Sequence, residues 1–257
     1  MERLKVSMIT ICYNAEKTIA KTIESVLSQD YENLEYIIVD GGSKDHTIDI
    51  IKSYENEKIR WISEKDNGIS DAFNKGIKMA SGTLIGLINA DDELLPETSE
   101  ILKNECEKID ADIYYGNCYW VDSERNLEYV SKPKHDLSKL LYNMVLIHPS
   151  TFVKKKAYEE CGLFDVTYKY CMDKELLYRM YKAGKKFDYI DQCLTKFKAG
   201  GVSDTHSKAV FKEGSRMALS YGEPQIKVKS IEIIKTVRNQ MVNMIKGTRV
   251  YRVLKGI

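Results

Sequence analysis

The sequence predicts an α/β fold in which a mostly parallel sheet carries helices on both faces. Over the first hundred residues, short runs typical of buried strands alternate with segments whose apolar residues recur every three or four positions, as on one face of a helix. This alternation indicates β-α-β units, whose strands are parallel. Polar residues follow directly after the strand-like runs, at the strand ends where such sheets bind ligands. The pattern therefore predicts both the sheet and the edge at which a site would lie.

Four strands and three helices make up this alternation. The strands are predicted at Val6–Ile11, Tyr36–Val39, Ile59–Ser63 and Leu84–Ile88. The helices between them are predicted at Thr18–Ser28, Thr47–Tyr54 and Asp71–Ala80. The polar residues that follow the strands are Tyr13-Asn14, Asp40, Asp66-Asn67 and Asp91-Asp92.

After Pro96 the pattern is looser. An aromatic strand is predicted over Asp112–Val121, and a second strand over Ile147–Val153. A helix with an inward apolar face is predicted over Met172–Ala183. We expect this half of the chain to complete the sheet and to shape a second pocket.

The composition indicates a globular protein and argues against several classes. Of 257 residues, 43% are hydrophobic and 30% are charged, which suits a large core under a soluble surface. The apolar runs are far shorter than the ~20 residues of a membrane helix, and the N-terminus lacks a signal peptide's apolar core, so we expect a cytoplasmic protein. The net charge of +1 gives no field that would favour nucleic acid. The six cysteines show no C-x-x-C spacing, so we expect reduced thiols and no zinc site.

A basic segment ends the sequence. Between Pro224 and Ile257, eight lysines and arginines stand against one glutamate; this net charge of +7 leaves −6 for the other residues of a chain whose total is +1. Since no linker interrupts the chain before about Pro224, we predict one domain over residues 1–222 and a basic, helical extension over residues 223–257. Apolar residues interleave with the cations. The extension could dock on the anionic inner face of the cytoplasmic membrane, or pack on the domain or on a neighbouring subunit.

Three sets of carboxylates are candidates for chemistry. Asp91 and Asp92 directly follow a strand, where hard oxygen ligands suit Mg²⁺ or Mn²⁺ bound together with substrate phosphates; the same pair also suits a helix start. Asp40 could cap the next helix or accept a hydrogen bond from a base or a ribose. Asp173, near the start of a predicted helix, could be a cap or a carboxylate that faces the same crevice.

Eight segments carry a recognisable pattern, in order and at fitting spacings. They are Val6–Asn14, Ser25–Gln29, Glu35–Thr47, Ser63–Gly76, Gly86–Glu93, His148–Phe152, Gly162–Asp165 and Lys198–Ser203. Together, over about residues 4–220, they resemble a family-2 glycosyltransferase of the Rossmann-like GT-A fold. They are most similar to the bacterial branch that builds capsule, O-antigen and colanic-acid-type polysaccharides.

The resemblance implies an inverting transfer of a sugar from a nucleotide-sugar, with a preference for UDP. On this resemblance, Tyr13 and Asp40 fall in the base pocket and Asp91 falls near the ribose or the sugar. The donor-side loop and helix contribute three further residues, namely Lys65 (or Lys75), Gly68 and Asn74.

The resemblance also implies a metal cofactor, Mn²⁺ or Mg²⁺, and a general base. Asp92 matches the direct metal ligand, and His206 could complete the metal shell. Many relatives carry Asp two positions before Asp91, where this chain has Asn89, which removes a charge but keeps an oxygen ligand. Asp173 matches the general base, which must lie across the pocket from the metal because the acceptor attacks from the opposite face.

The acceptor implied by the resemblance is a saccharide or a polyprenyl-linked saccharide. Trp120 could stack on sugar rings, although an aromatic strand also suits a core. His148 could line the acceptor pocket, although a histidine beside Pro149 also suits a structural role.

Two other functions compete with sugar transfer. A sugar nucleotidyltransferase would need a glycine- and arginine-rich phosphate loop after the first strand, and the sequence around Asn14 offers none. A catalytically silent nucleotide-binding module would be expected to lose its carboxylates. All four candidates are present, at Asp40, Asp91, Asp92 and Asp173.

Overall fold

The computed structural model describes residues 4–54, 56–122, 126–200 and 206–245. Its first half contains four parallel strands, adjacent in the order β3-β2-β1-β4. They are β1 Val6–Cys12, β2 Leu34–Asp40, β3 Ile59–Ser63 and β4 Leu84–Asn89. The connecting helices are α1 Ile19–Leu27, α2 Thr47–Ser53 and α3 Ile69–Met79. Every predicted element of this half is present, with ends displaced by at most two residues.

The second half extends the sheet in the order β4-β8-β6-β9-β5, with β7 paired to β6. The strands are β5 Glu93–Leu94, β6 Ile113–Asp122, β7 Leu127–Ser131, β8 Thr151–Lys154 and β9 Phe187–Lys198. The helices are α4 Thr98–Lys108, α5 Lys155–Cys161 and α6 Met172–Lys182. Because β8 is antiparallel to both β4 and β6, and β9 is parallel to β6, the carboxyl ends of β1, β4, β6 and β9 point to one edge.

The strand predicted over Ile147–Val153 is wrong in its first part. Residues His148–Ser150 form a 3-10 turn, and β8 begins only at Thr151. Proline fixes its own φ angle and cannot donate a ladder hydrogen bond, so Pro149 favours the turn over a strand.

The core lies on both faces of the sheet, as predicted for a doubly covered sheet. Along β1, Met8 packs toward α1, α2 and α4, whereas its neighbour Ile9 packs toward α3, α5 and α6. This alternation follows from the two-residue period of a strand. Each fully buried side chain of this size contributes about 1.5–3 kcal/mol. The predicted α/β class with helices on both faces is confirmed.

Two further helices follow the sheet. They are α7 Ser207–Ser220 and α8 Gln225–Ile245, which pack against each other. The connection contains Gly222, whose φ of +85° is readily adopted by glycine. Helix α8 lies within the predicted basic extension, and residues 246–257 of that extension lie outside the described residues. Over the described ranges, no helix has the length and apolarity needed to cross a membrane.

Candidate active site

A cavity of about 890 Å³ opens where the carboxyl ends of β1, β4 and β9 meet. Six residues predicted for the site line it: Tyr13, Gly68, Asp91, Trp120, His148 and Asp173. They come from both halves of the chain. The other five predicted residues do not line the cavity in the described part of the chain, and they are Asp40, Lys65, Asn74, Asp92 and His206.

The end of β1 presents Tyr13 to the cavity with 62% of the side chain exposed. The next residue, Asn14, also lines the cavity and has a φ of 51°, a left-handed conformation that asparagine tolerates better than most residues. Its backbone N–H donates to Ser43 Oγ at 2.8 Å, and its side-chain oxygen accepts from Lys44 N at 2.8 Å. The loops after β1 and β2 are therefore held together at the site.

Asp40 is completely buried in the turn after β2. One carboxylate oxygen accepts from Gly42 N at 3.0 Å, Ser43 N at 3.0 Å and Ser63 Oγ at 2.6 Å, and the other from the Ser43 hydroxyl. Burial alone would raise the pKa of Asp40, but these hydrogen bonds outweigh it and hold the pKa below its usual value. Asp40 thus shapes the turn. Among the described residues, it is not one of those that line the cavity.

The loop before α3 brings Asp66 and Gly68 to the cavity. Gly68 has a φ of +108°, and a Cβ at this position would have no atom within 4 Å. A Cβ on Gly41 would lie 2.4 Å from Asp66 Oδ2, so any larger residue at this position would displace the Asp66 side chain. Lys65 is exposed, and its carbonyl accepts from Lys75 Nζ at 3.0 Å.

Asn74, on α3, supports the wall of the cavity from behind. Its side-chain amide donates to the Phe164 carbonyl at 2.9 Å and accepts from Phe164 N at 2.9 Å. The Phe164 ring in turn stacks on Phe73, a lining residue, with ring centroids 5.7 Å apart. Asn74 therefore fixes the segment around Phe164 against α3.

The two adjacent carboxylates after β4 differ in position. Asp91 lines the cavity, whereas Asp92 is only 1% exposed. Asp92 accepts from Asn89 Nδ2 at 3.1 Å and from Lys198 N at 3.2 Å, which ties this turn to the end of β9. Burial, and then the charge of Asp91, raise the pKa of Asp92 to about 7. Burial also raises the pKa of Asp91, although the charge of Lys198 opposes the rise.

These residues fit a divalent cation. In the described ranges no group of three or more His, Cys, Asp or Glu residues could hold a metal alone. A metal bound with substrate phosphates, however, commonly takes only one or two protein carboxylates. The raised pKa values of Asp91 and Asp92 mark two carboxylates whose charge is poorly compensated, as expected where a cation binds.

Asp173 and His148 line the same cavity from the second half of the chain. Asp173 is the second residue of α6, and its carboxylate accepts from Lys174 N at 2.7 Å. Burial lowers the pKa of His148, and the charge of Asp173 opposes this effect. His148 Nε2 is buried without a hydrogen-bond partner in the described residues, so a polar group is available beside a carboxylate.

An aromatic cluster forms another wall. The Trp120 ring lies 4.6 Å from the Phe197 ring and 6.3 Å from the Tyr129 ring, measured between centroids. Trp120 and Phe197 both line the cavity. Such a surface suits the apolar face of a sugar ring. His206, predicted as a metal ligand, lies at the start of α7, where its ring stacks on Tyr170 with centroids 5.6 Å apart.

The structure adds lining residues that the sequence did not single out as site residues. Asn14, Asp66 and Lys198 belong to segments already recognised, so their positions at strand ends carried a signal. Four lysines also line the cavity, beside the carboxylates of Asp66, Asp91 and Asp173, and they are Lys132, Lys134, Lys169 and Lys198. Those that precede α6 lie in loops where no periodicity or motif indicates a site.

Comparison with known proteins agrees with this geometry. A profile of glycosyl transferase family 2 matches residues 7–180. An uncharacterized glycosyltransferase of Rickettsia prowazekii is 32% identical over 189 residues, which cover 69% of this chain and 58% of the relative. The chain therefore spans less than two thirds of that relative's length.

Two solved structures are similar in fold. Staphylococcus aureus TarS 1–349 has a TM-score of 0.68 at 18% identity, over 89% of this chain and 69% of that one. It has also been crystallised with UDP and with UDP-GlcNAc. Mannosyltransferase PcManGT from Pyrobaculum calidifontis, in complex with GDP-Man and Mn²⁺, has a TM-score of 0.65 at 15% identity, over 100% of this chain and 79% of that one. These similarities confirm the predicted GT-A fold, and the profile match shows that the chain belongs to glycosyl transferase family 2.

Proposed function

We propose that this protein transfers a sugar from a nucleotide-sugar to a hydroxyl of a saccharide or lipid-linked saccharide, with inversion at the anomeric carbon. The observation that carries the proposal is the convergence of Asp91 and Asp173, from the two halves of the chain, on one cavity at the strand ends. One carboxylate is suited to the leaving-group side of the reaction and the other to the acceptor.

The donor we propose is a UDP-sugar, in keeping with the UDP and UDP-GlcNAc complexes of TarS. Tyr13 and Gly68 would contact the nucleotide, and Lys198 would attract its diphosphate. Asp40 would act indirectly, by holding the turn that lies beside the nucleotide base.

Two further residues complete the proposed donor side. Asn74 would act through the wall that it fixes at Phe164. Lys65 would contribute to donor binding from the loop that also carries the lining residue Asp66.

The cofactor we propose is Mn²⁺ or Mg²⁺. Asp91, which lines the cavity, would hold it together with the diphosphate of the donor, and the role of the buried Asp92 as a direct ligand stays a prediction. When bound, such an ion neutralises the negative charge that develops on the leaving diphosphate. The role of His206 in the metal shell stays a prediction.

The acceptor hydroxyl would be activated by Asp173. The oxygen of the acceptor hydroxyl would form a bond to the anomeric carbon while the bond from that carbon to the diphosphate oxygen breaks. The proton of the hydroxyl would pass to the Asp173 carboxylate. A single displacement of this kind inverts the configuration. His148 would line the acceptor side of the cavity, and Trp120 would stack on the acceptor ring.

The biological setting we propose is the synthesis of a bacterial cell-surface polysaccharide of the capsule or O-antigen type. The enzyme would work in the cytoplasm, peripherally on the inner face of the cytoplasmic membrane, where a polyprenyl-linked acceptor is anchored. The resemblance described above, together with the basic extension, supports this setting.

The test is release of the free nucleotide from a panel of sugar nucleotides, with purified protein, Mn²⁺ and candidate acceptors. We expect Asp173→Asn to bind UDP as tightly as the wild type but to transfer about 10²–10⁴-fold more slowly, because an amide cannot take the acceptor proton. The matched control is Asp30→Asn, at an exposed position after α1.

Two results would count against the proposal. If Asp173→Asn lost UDP affinity and kept its turnover rate, Asp173 would not be the base. If UDP bound but no donor of the panel turned over with any acceptor, the chain would be a nucleotide-binding module instead.

A further inference from the structure

Helix α8 has an inner face that packs on the domain. Val228 is only 3% exposed and belongs to the core cluster beneath the sheet. Lys235 Nζ donates to the Tyr142 carbonyl, and Lys227 Nζ lies 5.3 Å from the centre of the Tyr142 ring. Glu232 accepts from Ser215 Oγ, on α7, at 2.7 Å. The anionic side chain of this helix is thus directed to a neighbouring helix.

The opposite side of α8 is apolar and exposed. Six residues, here called the outer face, are between 43% and 83% exposed: Ile226, Ile233, Ile234, Val237, Met241 and Met244. At 3.6 residues per turn, these six positions fall within an arc of about 100°. An apolar stripe of this kind, which only Ser230 interrupts, on the side of a helix that does not face its own domain, indicates an interaction surface.

Cations border the outer face on both sides. By the same helical spacing, Lys229 lies on one border and Arg238 on the other, next to Lys227, which is paired with Glu223 at 2.7 Å. Lys229 and Arg238 are exposed and have no ion-pair partner within the described residues. An apolar stripe between rows of cations is typical of helices that lie in the interface of an anionic membrane.

We propose that the outer face of α8 docks into the headgroup region of an anionic lipid bilayer. Charge decides between this occupant and a second copy of the chain. In a symmetric dimer through the outer face, the cationic borders of both copies would meet, and like charges would repel. Anionic headgroups would instead complement both borders while the apolar side chains enter the lipid.

This surface is connected to the cavity through Tyr142. The chain that follows Tyr142 runs directly into the lining segment Met144–Pro149, which contains His148. Docking of α8 would therefore hold this wall of the cavity close to the membrane. If the proposed transfer to a lipid-linked acceptor is correct, on which this step rests, the acceptor would reach the cavity without leaving the bilayer.

Co-sedimentation with vesicles tests the proposal and needs no sugar transfer. We expect the full chain to bind phosphatidylglycerol–phosphatidylcholine vesicles at low salt, and to bind pure phosphatidylcholine vesicles much less. A variant with Ile233→Gln, Val237→Gln and Met241→Gln keeps the net charge and should bind about tenfold more weakly, because it removes the apolar contact.

A second pair of variants isolates the charge. Lys229→Gln with Arg238→Gln should weaken binding to the anionic vesicles. The matched control, Lys21→Gln with Lys52→Gln, changes the same charge at exposed positions on α1 and α2 and should bind more tightly than the α8 pair.

Three results would overturn the proposal. The first is equal binding to both kinds of vesicle, and the second is unchanged binding of the triple glutamine variant. The third is a dimer in sedimentation velocity that the triple variant converts to a monomer, which would assign the outer face to a second copy. If the unmodified full chain bound neither kind of vesicle and still released nucleotide, the surface would be refuted and the proposed transferase activity would stand.

Discussion

Glu35 and Asp92 are both buried carboxylates, but their surroundings have opposite effects on the proton. Glu35 accepts hydrogen bonds from the Ser7 hydroxyl, from the Ser81 N–H and hydroxyl, and from Gly82 N. Burial alone would raise the pKa of Glu35, and these donors hold it below the usual value. Asp92 has fewer donors and a carboxylate neighbour, and its pKa rises to about 7. The carboxylate with more donors is structural, and the one with fewer donors lies directly after the lining residue Asp91.

The environment of Glu35 predicts a pH-dependent contribution to stability. We expect Glu35→Gln to lower the free energy of unfolding by about 1–3 kcal/mol at pH 7, because buried donors lose their charged acceptor. The folded-state pKa is depressed, so the contribution is present above the unfolded value of about 4.3 and is lost as the pH falls below it. Urea unfolding of both proteins at neutral and at acidic pH measures the difference, and an equal difference at both would contradict this account.

At the scale of elements, helix α7 holds the loop that leads from the cavity lining into α6. Glu213 accepts from three successive backbone N–H groups, Lys169 at 2.8 Å, Tyr170 at 2.6 Å and Cys171 at 2.7 Å. Lys169 and Tyr170 line the cavity, and Cys171 caps the helix in which Asp173 is the second residue. Helix α7 begins after residue 180, where the family match ends, so an element outside the match positions the proposed base.

This arrangement predicts a positioning role for Glu213. We expect Glu213→Ala to lower kcat roughly tenfold to a hundredfold with little change in the KM for the donor, since a small displacement of a catalytic group is costly. Lys212→Ala, exposed on the same helix, is the control. Kinetics are measured well below the melting temperature of each variant. A lower melting temperature with unchanged kcat would reduce Glu213 to a structural role.

Most elements of the first half could be predicted because their burial follows a simple pattern. Helix α1 buries Ile19, Ile23 and Val26, and β1 and β2 are buried along their whole length. The second half lacks such regularity. Strand β9 mixes buried and exposed positions, since Asp191 is exposed and pairs with Lys132 and Asn117. Helix α4 is largely polar on the outside, and its few buried residues give a weak helical pattern.

At the scale of the whole molecule, the position of the site was predictable from the sequence, but which of its side chains are exposed and which are buried was not. Parallel strands bring their carboxyl ends to one edge whatever the loops do, so Tyr13 and Asp91 could be placed together from their spacing. Which carboxylate lies on the surface depends on contacts between distant segments. Asp92 is buried next to the end of β9, where Lys198 N, more than a hundred residues away, donates to it. No local pattern in the sequence contains this contact.

Because the site is formed only in the folded chain, we predict that binding of the donor and the metal stabilises the whole fold. A ligand at about one hundred times its Kd adds about 2.7 kcal/mol, which for a chain of this size corresponds to a rise in Tm of about 5–10 °C. We expect UDP with Mn²⁺ to give such a rise in thermal unfolding and excess EDTA to remove most of it. Asp91→Asn should show little rise, because a cavity carboxylate that would hold the cation is lost, whereas Asp30→Asn should behave as the wild type. A full rise in the Tm of Asp91→Asn would show that nucleotide binding does not depend on this turn. A rise in Tm that EDTA leaves intact would show that it does not depend on the metal.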